Sequence, residues 1–342
     1  MILDELQRPI VLAPMAGGPS TPELTAAVSE AGGLGLLAAG YLGVDATAER
    51  IEKTRARTGK PFGVNLFAPG GPTPPGDFAE YVAALGDAYE VGTPKYDDDA
   101  WTAKIDLLVA DPVPVVTCTF GCFGPAEVRR LQAVGSEVWV TVTSVAEARV
   151  AVAAGADALV AQGAEAGGHR ATFVDRVADD VTDPIGLLSL LQLLTAAVDL
   201  PLVATGGITT GAGLAAALAA GARAAQLGTV FLRCPEAGTN SIHRGAVGSP
   251  TPTMLTRAFT GRRARGLRNE FLLAHLDAPA AYPEIHYATA PLRAAARAAG
   301  DAEEVNLWAG QTHSLAPELP AGELVAELST EAKIALTKAL SR

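Results

Sequence analysis

Leu202-Val203-Ala204-Thr205-Gly206-Gly207-Ile208-Thr209-Thr210 and, one helix-like segment later, Ala220-Gly221-Ala222-Arg223-Ala224-Ala225-Gln226-Leu227-Gly228-Thr229 spell out one complete structural unit. A short apolar run ends in glycine, a helix-period stretch (Gly211–Ala219) comes next, and small residues lead into a second apolar run, which again ends in glycine. Apolar runs without polar alternation fit strands buried on both faces, as in a parallel sheet. Glycines after such strands expose backbone N–H groups, and the following helix start adds its positive end. The two loops therefore suit a phosphate-bearing ligand better than glycine packing alone.

The unit recurs along the chain. Eight apolar runs can be placed, at Ile10–Ala13, Gly35–Ala38, Phe62–Leu66, Val113–Thr117, Glu137–Thr141, Ala158–Ala161, Leu202–Ala204 and Ala224–Leu227. Helix-like segments lie between most of them, the clearest at Thr21–Glu30, Ala46–Thr58, Pro125–Val134, Val145–Ala154, Ile185–Val198 and Gly211–Ala219. Ala31-Gly32-Gly33-Leu34-Gly35 and Ala154-Gly155-Ala156-Asp157-Ala158 repeat the small-residue join seen at Ala220–Ala224. Eight β/α units in series favour an α/β fold of the closed (β/α)8 TIM-barrel type, with an open doubly wound sheet as the other possibility. The rhythm breaks between Arg233 and Gly300, a stretch rich in Arg, Pro and Thr with helical pieces at Ser241–Ala246 and Phe271–Leu276. It is expected to be a helical insertion, 233–300, lying as a lid over the barrel mouth, with 1–232 and 301–342 forming the barrel. The tail Gly322–Leu340 reads as an amphipathic helix that closes it.

Composition supports a large buried core: 49% of the 342 residues are hydrophobic and 18% charged. The formal net charge of -11 argues against nucleic acid or an anionic membrane as a partner, and any anionic substrate must be captured by local groups against that field. Three cysteines, Cys118, Cys122 and Cys234, form no disulfide framework and no zinc-ligand set, and fit inert thiols in a reducing compartment. The opening MILDELQRPI has no signal-peptide core, and no run of ~18 apolar residues occurs, so a cytoplasmic location without membrane spans is expected. The sequence leaves monomer and homodimer open.

Barrel active sites lie at the C-terminal strand ends, which directs attention to the residues just beyond each run. Ala13-Pro14-Met15-Ala16-Gly17-Gly18 after the first offers a stiff turn and close backbone approach to a flat ligand. Asn65 and Gln162 place carboxamides, able to donate and accept, at the ends of the third and sixth. His169 lies in the glycine-rich loop Gln162-Gly163-Ala164-Glu165-Ala166-Gly167-Gly168-His169-Arg170, where an imidazole can act as a base or a cationic anchor; an imidazolium is the titratable group best suited to offset the acidic chain. His243, His275, His286 and His313 have no metal-ligand spacing, no nucleophile elbow occurs, and no lysine ends a strand, so no metal and no Schiff-base chemistry is expected.

Taken in order, Pro9-Ile10-Val11-Leu12-Ala13-Pro14-Met15, Glu165-Ala166-Gly167-Gly168-His169-Arg170, Ala204-Thr205-Gly206-Gly207-Ile208, Gln226-Leu227-Gly228-Thr229, Gly261-Arg262-Arg263-Ala264-Arg265-Gly266-Leu267-Arg268-Asn269 and Trp308-Ala309-Gly310-Gln311 resemble the nitronate monooxygenase family, formerly 2-nitropropane dioxygenase, most closely its class I branch. The resemblance implies an FMN flavoprotein, a monooxygenase that uses O2 to convert small alkyl nitronates to carbonyl compounds and nitrite. It implies flavin contacts at Ala13, Pro14, Met15, Asn65, Gln162, Gly167, Gly206, Gly207, Gln226, Gly228 and Thr229, to which Gly168 is added, and an active-site histidine at His169. Trp308, Gln311 and His313 are expected on the substrate side. Ala171 departs from the glycine usual after Arg170 in class I, and Thr312-His313 stands where small or apolar residues are usual. Two rival readings keep the barrel: an NAD(P)H-dependent FMN reductase of quinones or enoyl thioesters, and a sugar-phosphate binder or plain flavin carrier.

Overall fold

A computed structural model describes residues 1–178 and 183–341. Eight strands run parallel in one sheet: β1 Ile10–Leu12, β2 Gly35–Ala38, β3 Phe62–Phe67, β4 Val115–Thr119, β5 Glu137–Val142, β6 Ala158–Gln162, β8 Leu202–Thr205 and β9 Ala224–Leu227. β7, Gly168–His169, lies outside it. Each strand pairs with its sequence neighbour in the series, β9 pairs β1, and the circle closes where Leu12 N–H donates to Leu34 O (2.8 Å) and Leu34 N–H to Ile10 O (2.9 Å). The expected barrel is therefore present, and the open sheet is ruled out.

Strand alternation divides the apolar residues into two sets. Val11, Leu36, Val115, Trp139, Val160 and Val203 fill the barrel interior, whereas Ile10, Leu12, Leu37, Val116, Val140 and Leu159 meet the surrounding helices. Leu3, on the short helix Ile2–Glu5, packs with the interior set, with Ile2 and Leu6 beside it. Ile2 N–H and Trp139 Nε1–H each donate to the Glu137 carboxylate, at 2.7 and 3.0 Å. This plugs the end of the barrel where the strands begin, and the opposite end carries the cavity.

The tail helix Ala321–Leu340 packs on the helices Gly211–Ala219 and Pro22–Glu30, so the last unit is stitched to the first. Gly211 N–H donates to Glu331 Oε2 at 3.0 Å, and a Cβ at Gly211 would collide with Glu331.

Two excursions rise over the strand ends. After β9 come the helices Ser241–Ala246, Glu270–Ala274, Glu284–Ala288 and Ala290–Ala299. Between them lies a hairpin that the sequence reading lacks: β10 Thr253–Thr256 pairs antiparallel with β11 Ala264–Leu267. The connection is seven residues long with no Asn-Gly or Asp-Gly signal, and β11 carries Arg265, so neither turn chemistry nor an apolar run announces it. The second excursion belongs to the β3–β4 connection, whose helix Ala79–Gly86 places Leu85 in one apolar cluster with Phe259, Phe271 and Leu292. Tyr81 donates to Ala258 O at 2.7 Å across the same contact.

Helix-to-barrel approach is tightest at β2, where a Cβ on Gly35 would land on the Thr25 carbonyl oxygen, within 2.7 Å of its carbon. Because the obstacle is backbone of the helix Pro22–Glu30, no side chain can move aside. Gly35→Ala should lower stability by about 3 kcal/mol, the upper part of the overpacking range; urea unfolding with unchanged m-value and a lower midpoint is the expected result, and a wild-type midpoint would show that the helix can shift freely.

Candidate functional site

The strand ends and the chain that follows β9 line a cavity of about 500 Å³. Ala13, Pro14 and Met15 line it after β1, Asn65 on β3, Gln162 at the end of β6 and Gly167, Gly168 and His169 beyond it. Gly206 and Gly207 after β8, Gln226 on β9 and Gly228 and Thr229 after it complete the barrel side, and Trp308 closes the far side. The sequence-predicted residues thus converge, with two exceptions. Gln311 is exposed and outside the cavity; its backbone N–H donates to Glu165 O at 3.0 Å. His313 is buried away from the cavity with Nε2 2.8 Å from Thr251 O, and the residue between them, Thr312, lines the wall instead. The tight turn after Gly310 sends successive side chains in different directions, which motif position alone does not reveal.

Glycine is required where the chain turns sharply. Gly206 and Gly207 have φ of 119° and 67°, and Gly168 has φ 74°. At Gly167 the demand is spatial: a Cβ would lie 2.5 Å from Ala309 C and Gly310 N, so two backbones cross there in contact. Gly310 N–H donates to Thr229 Oγ1 at 3.0 Å, tying the crossing to the loop after β9. Ala171, the departure from glycine, is accommodated: its φ is not positive, and its N–H donates to Gln162 Oε1 at 2.9 Å.

The two carboxamides differ. Gln162 is engaged by its own loop, Nε2 donating to His169 O at 3.0 Å and Oε1 accepting from Ala171. Asn65 donates to Thr117 and Thr119 hydroxyls at 2.8 and 3.1 Å, which leaves its Oδ1 buried without a partner. Gln226 Oε1 is likewise buried and unpartnered. Unmet buried acceptors are costly, about 1–3 kcal/mol each, so two on one cavity wall fit a ligand with N–H donors.

His169 is held in the small sheet β7–β11–β10, with Ala264 as its register partner. Its Nε2 lies 2.9 Å from Thr260 Oγ1, and the Thr260 hydroxyl donates to Arg262 O at 3.3 Å. With the hydroxyl hydrogen on Arg262 O, the threonine accepts from Nε2–H, the tautomer in which Nδ1 keeps its lone pair. Phe120, Tyr282 and Trp308 ring the imidazole at centroid distances of 5.6, 5.7 and 5.6 Å. Burial, and then the charges of Arg262 and Arg293, lower its pKa to about 3. These surroundings favour the neutral ring over the expected imidazolium anchor: the same apolar wall that presents the ring disfavours charge on it. Arg170 does not substitute, because its guanidinium donates to Gly163 O and Gln162 O at 2.6 and 3.3 Å within the loop.

Several lining groups escaped the sequence reading. Tyr41 and Phe120, just beyond β2 and β4, have left-handed φ of 67° and 76°. Asp99 Oδ1 accepts from Tyr41 N–H at 2.8 Å, and Arg262 stacks 4.2 Å above the Phe120 ring, so both unusual conformations are fixed from outside. His286 stacks on Tyr41 at 4.2 Å and 3°, and burial pushes its pKa down to about 2. Arg293 and Arg297 reach the cavity from the helix Ala290–Ala299, and among the described residues lining it none is acidic. The three thiols are free, and burial raises the pKa of each, in keeping with inert cysteines.

The insertion is pinned down by Asp175, in the loop after β7. Its carboxylate accepts from Arg257 Nη2 at 2.9 Å and from Arg263 Nε at 3.1 Å, at either end of the turn between β10 and β11, and these bonds hold its pKa below the usual range. No helix of the described residues is long and apolar enough to cross a membrane, and no group of acidic, His or Cys side chains among them could hold a metal ion.

Comparison with known proteins gives a consistent answer. A family model described as nitronate monooxygenase matches residues 2–331. The nitronate monooxygenase of Pseudomonas aeruginosa is 41% identical over 95% of this chain and 96% of its own length. The crystal structure of nitroalkane oxidase from Streptomyces ansochromogenes superposes with a TM-score of 0.96 at 50% identity, covering 99% of both chains. FabK from Thermotoga maritima is more distant, with a TM-score of 0.73 at 29% identity over 99% of this chain and 97% of that one.

The neutral buried histidines make stability pH-dependent. His169, His243 and His286 have folded pKa values of about 3, 4 and 2 against 6.5 for the free side chain. Between those limits the unfolded chain binds more protons than the folded one, so stability is complete above about pH 6.5 and is lost as the pH falls below it. Denaturant midpoints should be level from pH 8 to 7 and decline from pH 6.5 to 5. His243→Gln, which keeps a donor for Trp308 O, should make that decline shallower by up to about 1.4 kcal/mol per pH unit; a midpoint that rises on acidification would mean that the folded chain takes up the extra protons instead.

Proposed function

The chain belongs to the nitronate monooxygenase family of flavoenzymes, and on that basis we propose that its cavity holds FMN and that it oxidises small alkyl nitronates with O2 to carbonyl compounds and nitrite. Asn65 Oδ1 and Gln226 Oε1, the two buried acceptors without partners, support the cofactor most directly: they suit the pyrimidine edge of a flavin. Gly206, Gly207, Gly228 and Thr229 offer backbone N–H groups to the phosphate, and Ala13, Pro14 and Met15 offer a flat backbone surface to the ring. Bound FMN supplies the electron transfer that links nitronate oxidation to O2.

The protein's own part is to bind, orient and exclude water. A neutral imidazole with a free Nδ1 can take an α-proton from a nitroalkane, so His169 would convert the neutral acid to its nitronate, while a preformed nitronate needs no base. Phe120, Trp308 and Tyr282 around His169 keep water from competing for that lone pair.

Two experiments test this reading. Purified holoenzyme mixed with propane-2-nitronate in air should release acetone and nitrite in equal amounts. No nitrite, together with rapid anaerobic bleaching of the flavin by NADPH, would replace the monooxygenase with a reductase. In the second, His169→Asn should retain FMN while oxidation of neutral 2-nitropropane falls about a hundredfold, the usual contribution of a general base, and turnover of the preformed nitronate falls much less. Equal losses on both substrates would assign His169 a role other than proton removal. Separately, Asn65→Leu, which removes the unpaired acceptor, should weaken FMN binding about tenfold or more. Full flavin content after dialysis of this variant would take Asn65 out of the cofactor site.

A further inference from the structure

Arg293 is a buried cation with no counter-ion among the described residues. It is 6% exposed and lines the cavity. Its Nε donates to Thr289 O and Oγ1 at 3.3 and 3.1 Å, and one Nη2 hydrogen goes to His286 O at 2.7 Å, with His286 Nδ1 3.4 Å away. Those bonds orient the guanidinium and leave Nη1 as its one nitrogen without an acceptor among the described residues. None of its contacts is a carboxylate. The charged and titratable groups around it are His286 and Arg297 on its own segment, Tyr41 beyond β2, and His169, on which the charges of both Arg293 and Arg262 act. An unpaired buried charge is expensive, and proteins keep one mainly where a ligand completes it.

Arg262, another buried arginine near His169, differs in place and in partners: it donates to Arg170 O and Thr172 O, stacks on Phe120, lies in the field of the Asp175 carboxylate and does not line the cavity. Arg297, one turn from Arg293 on the same helix, is exposed at the rim.

We propose that Arg293 is the substrate-binding cation: its Nη1 donates to an oxygen of the substrate's nitronate group. The assignment rests on the nitronate reading above and names the residue that neutralises that anion. A nitronate spreads its negative charge over two oxygens, as a carboxylate does, and guanidinium N–H groups match that geometry. His286 is then a positioning residue, clamped between the Tyr41 ring and the guanidinium it orients.

The test uses FMN-loaded enzyme and isobutyrate, a carboxylate with the same heavy-atom connectivity and charge as propane-2-nitronate that a flavin does not readily oxidise. Its dissociation constant is measured by calorimetry and by perturbation of the flavin spectrum. In the wild type, affinity should be constant from pH 6 to 8.5, because an arginine stays charged throughout; a tenfold loss per pH unit would identify an imidazolium as the cation and overturn the assignment, with no variant needed. Arg293→Met should bind isobutyrate at least tenfold more weakly and raise KM for the nitronate by a similar factor, with Arg293→Lys recovering part of both. Flavin content and melting temperature check folding, and the lysine variant serves if the methionine variant does not fold: its affinity should lie below the wild type but should again be independent of pH. Unchanged isobutyrate affinity in folded Arg293→Met, or the whole loss appearing in Arg297→Met instead, would overturn the proposal. If the wild type turns over no nitronate while isobutyrate binding still depends on Arg293, the anion site stands and the nitronate reading is what fails.

Discussion

Where the loop after β6 crosses the segment Ala309–Gly310, there is room for two backbones and nothing else; a Cβ on Gly167 would lie 2.5 Å from either chain atom it faces. Much of the site depends on this contact. It brings Gln311 N–H to Glu165 O and Gly310 N–H to Thr229 Oγ1, so the loops after β6 and β9 and the returning chain become one unit. It sets Trp308 against the cavity and lets Gly168–His169 leave the barrel to pair with β11. His169 is therefore fixed by sheet pairing rather than by the flexibility of a glycine-rich loop, and its ring direction is set by Thr260 on the adjoining turn.

The barrel and the excursions divide the work. Strand ends and their glycine loops form one wall, rich in backbone N–H groups and amide oxygens, while the chain after β9 supplies His286, Arg293, Arg297 and Trp308 to the other. Tyr41 and Phe120 lie at the seam, and both adopt conformations that cost about 1–3 kcal/mol for a non-glycine residue. Asp99 and Arg262 hold them there, and Asp99 is itself paired with the fully buried Lys104 at 2.7 Å. Strain at the seam thus aims two aromatic side chains into the cavity, supported by a charged pair that the cavity does not contain.

The barrel was legible in the sequence because a strand buried on both faces must be apolar at consecutive positions, and because glycine is demanded where strand ends turn back on themselves. All eight expected runs became strands, with Val113–Thr117 shifted to Val115–Thr119 since Pro114 cannot donate to the ladder. The phosphate-type loops, Asn65 and His169 stood out because their residue types are rare at such places. Arg293 did not: in a segment already rich in arginine, nothing in the sequence separates one facing a cavity from one facing water until the helix Ala290–Ala299 is placed with Leu292, Arg293 and Ala296 inward. Gln162 shows the opposite limit, since a carboxamide at a strand end looks the same whether it serves a ligand or, as both of its bonds here do, its own loop. The protonation of His169 is hidden from the sequence for a related reason. Whole-chain acidity argued for an imidazolium, but a local wall of Phe120, Tyr282, Trp308, Arg262 and Arg293 decides the matter, and aromatic rings and guanidinium groups favour the uncharged ring.

That local decision has a chemical consequence. One imidazole cannot both neutralise an anion and remove a proton, because the imidazolium that attracts the anion has lost the lone pair that would take the proton. A site that relied on His169 for both would work only in the narrow pH range where the two forms coexist. Separating the tasks removes the restriction. An arginine keeps its charge at any physiological pH, and burial lowers the pKa of Arg293 only to about 10. The same charge helps keep His169 neutral and lowers the proton affinity of Nδ1 while no anion is bound. Once an anion lies between them, it screens the arginine and favours the protonated ring, so the proton taken from a neutral nitroalkane is held more firmly when the nitronate has formed than before. Burial, which at first looks like a penalty on both side chains, is what makes each dependent on the substrate and on the other.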